Sequence, residues 1–228
     1  MVTFFDEINK GYADWIEKQK VYYVASAPLD PKGHVNVSPK GYDSFRILNP
    51  NKVAYLELSG SGIETQSHVK ENGRLTIMFA AMEGAPRILR LWSFAKVYQV
   101  GTPEYEEILQ EHFAGSELLG NPGLRSIIVA DVYKVGSSCG FGVPFFEYKE
   151  PRNTLVTYYG KKTMDQVKES WKKNRSSLDG LPGMNIDDEP SSQKKNSQLK
   201  LPKNSISLAA AFGAGVAATM IAVKYFNL

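Results

Sequence analysis

The feature that most constrains how this chain can fold is a succession of short β-branched and aromatic runs separated by turn residues. Residues 21–26, 53–58, 74–80, 88–100 and 126–135 each read as a strand. Asp30-Pro31-Lys32-Gly33 is a turn signature that joins the first run to His34-Val35-Asn36-Val37-Ser38, making a hairpin, and residues 83–87 form a second hairpin loop. Few of these runs alternate with helices in the way a parallel sheet requires. About six strands joined mostly by hairpins predict a mainly β fold with flanking helices, an antiparallel barrel or sandwich rather than a doubly wound sheet.

The helices are read from spacing. Phe5, Ile8, Tyr12, Trp15 and Ile16 share one face of a helix within residues 5–19. A second helix begins near Ile63 and stops near Asn72-Gly73, with Ser61 and Glu64 at capping-box spacing. Residues 103–113 open with Pro103 and early acids, and residues 163–174 place Met164, Val167 and Trp171 on one side.

The composition changes after residue 174. A body of residues 1–174 is long enough for one core, whereas residues 175–204 are rich in Ser, Asn, Lys, Asp and Pro and read as a flexible, disordered linker. Residues 206–223 carry no charge, close to the length of a bilayer core, and Ala209, Gly213 and Ala217 form a small-residue face. The segment 205–228 therefore reads as a C-terminal transmembrane tail anchor; a soluble hydrophobic helix docked on the body is the alternative. Residues 161–203 hold ten Lys or Arg against six Asp or Glu, while the first 160 residues hold 16 and 18. The body is thus mildly acidic, which argues against nucleic acid as a partner. Cys139 is the sole cysteine, and acidic residues Asp6 and Glu7 stand where a signal peptide would be basic. A cytosolic body tethered to a membrane, the organelle open, is the expectation.

Nucleophile and metal patterns are missing: His34, His68 and His112 have no ligand spacing, and no nucleophile elbow or Walker loop occurs. Any redox or transfer chemistry would have to come from a bound cofactor. Two loops suit an anion. Ser38-Pro39-Lys40-Gly41 brings a hydroxyl, an ammonium and flexible backbone together, and Ser59-Gly60-Ser61-Gly62 opens onto a helix N-terminus. For the second loop a plain turn and helix cap is the simpler reading. Arg87 and Arg90, three apart in a strand, point to opposite faces, so one can meet a ligand; two surface arginines are the alternative.

These segments together carry a resemblance. The run 34–41, followed by Gly60-Ser61-Gly62-Ile63-Glu64-Thr65, Glu71-Asn72-Gly73-Arg74, residues 83–90 and Ser138-Cys139-Gly140-Phe141-Gly142-Val143-Pro144, resembles the pyridoxamine 5′-phosphate oxidase-like family of flavoproteins, in order, over residues 5–160. The resemblance implies a split β-barrel that dimerises and holds FMN in a cleft between subunits. It places Asn36, Ser38 and Lys40 on the strand approaching the flavin and its phosphate, and Ser59, Ser61 and Thr65 at the phosphate loop. Arg87 or Arg90 would lie beside the isoalloxazine ring. The chain departs from the family oxidases at Gly62-Ile63, where a basic pair grips phosphate, and in lacking an Arg-x-His signature near its C-terminus. It therefore implies an FMN-dependent oxidoreductase of unassigned substrate other than pyridoxamine phosphate. The alternative is a non-catalytic split-barrel module that binds a ligand or partner at a membrane.

Overall fold

The computed structural model describes residues 2–186. Each strand-like run forms a strand. The eight are β1 (Thr3–Phe5), β2 (Tyr22–Ser26), β3 (Asn36–Lys40), β4 (Phe45–Asn49), β5 (Lys52–Leu58), β6 (Arg74–Ala80), β7 (Ile88–Gln99) and β8 (Leu124–Ser138). They join one antiparallel sheet in the order β3-β2-β6-β7-β8-β5-β4, and β1 pairs with β8, Phe5 opposite Val135. The helices are α1 (Lys10–Ile16), α2 (Glu64–Asn72), α3 (Pro103–Phe113), α4 (Thr154–Gly160) and α5 (Met164–Trp171). Two strands exceed the expected count. β1 takes the start of a stretch with helical spacing, and β4 is a short run, bulged between Ile47 and Asn49, that turns directly into β5.

The sheet is covered on both faces near its middle. In β5, Val53 and Tyr55 enter one cluster with Val24, Ile77, Phe79, Leu91 and Ile128, against which α1 packs. Ala54 and Leu56, pointing the other way, meet Tyr105 and Phe113 of α3. A strand buried on both faces cannot alternate apolar with polar, so this run is almost continuously apolar. The sheet also curls. Tyr22 of β2 and Phe45 of β4 lie 5.1 Å apart by ring centroid, Phe45 and Phe79 5.2 Å, and the Tyr22 and Ser44 hydroxyls share a 2.8 Å hydrogen bond. The two ends of the strand order thus approach across the core while β3 and β4 remain unpaired with each other, an arrangement consistent with a split barrel.

Two local expectations are corrected. The capping box of Ser61 and Glu64 does not form; the N-cap of α2 is Ile63, with no side-chain cap. Gly73 does end the helix, at φ +73°, where a side chain would be strained. The flexible linker does not begin at residue 175. Ser177 and Met184 are buried, and Gly183 and Met184 donate backbone hydrogen bonds to the carbonyls of Arg175 and Asn174. Polar composition alone cannot build a core, but one apolar anchor suffices to dock a strap: Met184 packs with Ile63, Tyr159, Val167 and Trp171. Residues 187–228, with the rest of the expected linker and the tail helix, lie outside the described residues. Among the described residues no helix is long and apolar enough to cross a membrane.

Candidate functional site

An open cavity of about 420 Å³ lies where β3, the end of β5 and the start of α2 converge. Six of the residues singled out from the sequence line it: Asn36, Ser38, Lys40, Ser59, Ser61 and Thr65. Strand periodicity explains the first three. Asn36, Ser38 and Lys40 share one half-buried face of β3, while Val35, Val37 and Pro39 are exposed.

The cavity's charged centre is a buried triad. Lys40 Nζ donates to both carboxylate oxygens of Glu57, each at 2.8 Å, and Arg125 Nη2 donates to Glu57 Oε1 at 2.9 Å. The side chains of Glu57 and Arg125 are only 3% and 4% exposed, and that of Lys40 20%. Burial pushes the Glu57 carboxyl up, but the fields and hydrogen bonds of Lys40 and Arg125 together outweigh it and hold the group below its ordinary range. Two cations against one carboxylate leave the triad with one net positive charge. Arg125 Nη1 reaches Asn174 Oδ1 at 3.3 Å, while its buried Nε has no protein partner.

Hydroxyls divide by availability. The Ser59 hydroxyl donates to the Gly123 carbonyl at 2.8 Å and accepts from Trp171 Nε1 at 2.7 Å, so it is committed within the protein. Thr65 Oγ1 accepts from Asn36 Nδ2 at 2.8 Å and keeps its own hydrogen to donate. Ser61 is exposed at the rim, and its carbonyl accepts from Asn174 Nδ2 at 3.5 Å. The uncapped first turn of α2 presents N–H groups to the same space. Its own Glu64 carboxylate folds back beside Gly62, where an added Cβ would lie 2.2 Å from Oε2. Tyr42, also on the wall, is held at φ +61°, an uncommon conformation for a bulky residue.

Arg87 and Arg90 do not line this cavity. The Arg87 guanidinium stacks on the rings of Tyr12 and Trp15, 5.4 Å from each centroid, and Arg90 Nη1 approaches Ser138 Oγ at 3.4 Å. Glu57, Arg125, Tyr42, Trp171 and Asn174 are the site residues that spacing did not reveal. A signal existed for Glu57: a lone acid inside Val-Ala-Tyr-Leu-Glu-Leu must find a cation if the strand is buried on both faces.

The arrangement can hold a phosphate ester beside a flat apolar group. Helix N–H groups, Thr65 and Lys40 supply donors; Pro39, Leu56, Leu58, Ile63 and Leu155 supply apolar wall. The volume falls within the range of about 300–1,000 Å³ usual for ligand pockets. The class so defined is a curled antiparallel sheet with an anion-compatible cavity at its helix-covered end.

No protein-family model matches the chain. The chain is 35% identical over 202 residues to the pyridoxamine 5′-phosphate oxidase family protein ustO of Aspergillus flavus, covering 81% of this chain and 78% of that one. The chain belongs to the pyridoxamine 5′-phosphate oxidase family. Among solved structures it is similar to a HupZ variant of Group A Streptococcus, at TM-score 0.44 and 21% identity over 57% of this chain and 99% of that one. A candidate pyridoxamine 5′-phosphate oxidase of Lactobacillus delbrueckii follows at 0.43 and 18%, over 57% and 94%.

Proposed function

We propose that this chain is an FMN-binding split-barrel flavoprotein whose phosphate lies at the start of α2, and that it serves as an oxidoreductase. The carrying observation is the convergence of Lys40, Thr65 and the uncapped α2 turn on one cavity. The flavin would supply the electron chemistry; the protein's residues bind and orient it. Titration of the purified protein with FMN and with riboflavin tests this. FMN should bind and Lys40→Met should weaken it at least about tenfold, the scale of a lost charged hydrogen bond, with riboflavin little affected. Absence of FMN binding would refute the reading.

The proposal includes a homodimer. Val35 before β3, Val37 on β3 and Phe141, Phe145 and Phe146 after β8 are exposed apolar residues that a second copy could cover. Arg87 and Arg90, which do not line their own chain's cavity, would then meet the flavin across the subunit boundary. A monomer in light scattering at micromolar concentration would remove that role. Membrane tethering rests on the uncharged run 206–223. Membrane association that survives carbonate extraction and is abolished by removing 205–228 supports it; association persisting after the deletion refutes it.

A further inference from the structure

We infer that Glu57 is the cavity's resident counter-ion: it holds Lys40 in the absence of ligand and yields it to the phosphate of an incoming ligand, thereby setting the site's selectivity for phosphorylated over unphosphorylated forms. This rests on the proposed phosphate site and adds a residue that tunes it.

The geometry is specific. Both carboxylate oxygens of Glu57 accept from Lys40 at 2.8 Å, and one also accepts from Arg125, so the triad is closed on itself. All three side chains line the cavity. Arg125 is fastened on two sides, to Glu57 and to Asn174, and is nearly inaccessible; Lys40 is bound on one side only and is the more exposed. Lys40 also has a compact charge on a flexible stem, which suits it to change partners, whereas a fastened guanidinium does not. A phosphate near the α2 turn therefore competes with Glu57 for Lys40, and an unphosphorylated ligand does not.

The test is Glu57→Gln, which keeps shape and removes the charge. FMN affinity should rise about tenfold, close to the lower end of the range measured for close charge couplings, with riboflavin unchanged. Lys40→Met/Glu57→Gln should lose that gain, because the effect runs through Lys40. Equal changes for both flavins, weaker FMN binding, or a gain that survives loss of Lys40 would each overturn the inference. Inorganic phosphate keeps the outcome separate from the flavin reading. Even if neither flavin binds, phosphate should raise the melting temperature of Glu57→Gln more than that of the wild type, and no difference would overturn the inference. Should Glu57→Gln fail to fold, Glu57→Asp, whose shorter carboxylate loosens the grip on Lys40, should move affinity in the same direction by a smaller factor.

Discussion

The cavity has two supports built from different bonds. On one side, β3 is laddered to β2 over five residue pairs, and β5 is laddered to both β4 and β8. On the other, the segment from α5 to Met184 reaches the phosphate-type loop through side chains: Trp171 to Ser59, Asn174 to the Ser61 carbonyl, and Lys70 of α2 to the Gly183 carbonyl. Backbone ladders tolerate side-chain change. A strap fastened by a few side-chain donors does not, so the loop at residues 59–63 should be controlled from the rear, by residues with no place on the strands.

Arg125 touches both supports, donating to Glu57 on the strand side and Asn174 on the strap side. Arg125→Met should be the most damaging single change. It leaves Glu57 with Lys40 as its remaining cation and removes the buried charged hydrogen bonds to Glu57 and Asn174, each worth about 1.5–3 kcal/mol. Urea unfolding measures this. A loss below about 1 kcal/mol would mean water already reaches Glu57 and that the two supports are not joined here. Asn174→Ala separates them. Asn174 is 2% exposed, and its removal should cost about 1–3 kcal/mol, with faster amide exchange over residues 59–63 and 175–184 and unchanged exchange in β7 and β8. Equal acceleration in the strands would erase the distinction.

The ladder side was largely legible. Strands 74–80 and 88–100, the helix at 103–113 and the polar face of β3 all follow from periodicity and turn residues, because each buries a face that sequence alternation records. The strap was not. Its Ser, Asn and Gly residues look like linker because their partners, Arg125 and the Ser61 carbonyl for Asn174, Lys70 for the Gly183 carbonyl and the Leu181 N–H for the Ser177 hydroxyl, are brought together only by the fold. Gly183 shows this well. A Cβ there would lie 2.3 Å from the Asn174 carbonyl and 2.9 Å from Ile63, so the glycine marks a close approach that only the folded strap reveals. Lys40 was found as a cation, but its pairing with Glu57 depends on β3 and β5 meeting around the cavity, a tertiary fact. Arg87 and Arg90 show the converse: strand spacing predicted opposite faces and said nothing about which face holds a ligand.

The smallest effect concerns His68, buried in α2 between the two supports. Its Nδ1 shares a 2.9 Å hydrogen bond with Ser26 Oγ of β2, and its Nε2 is buried without a partner. Burial lowers the His68 pKa first and foremost, against the raising fields of Asp179, Glu64 and Glu71. The unfolded chain therefore takes up this proton before the native protein does. Stability from this group is present above the unfolded value of about 6.5 and is lost as pH falls through it toward the lower native value, with a slope of at most about 1.4 kcal/mol per pH unit. The carboxylate of Asp179, in the strap, accepts from the backbone N–H of His34 at 2.8 Å and meets its ring Nδ1 at 2.6 Å. Asp179→Asn removes one field that favours protonated His68, so it should steepen the loss, whereas His68→Gln should flatten it. Urea midpoints between pH 5 and 8 decide the matter. If Asp179→Asn leaves the slope of the wild type unchanged, the strap does not act electrostatically on α2, and its hold on the site is confined to the hydrogen bonds of Trp171, Asn174 and Gly183.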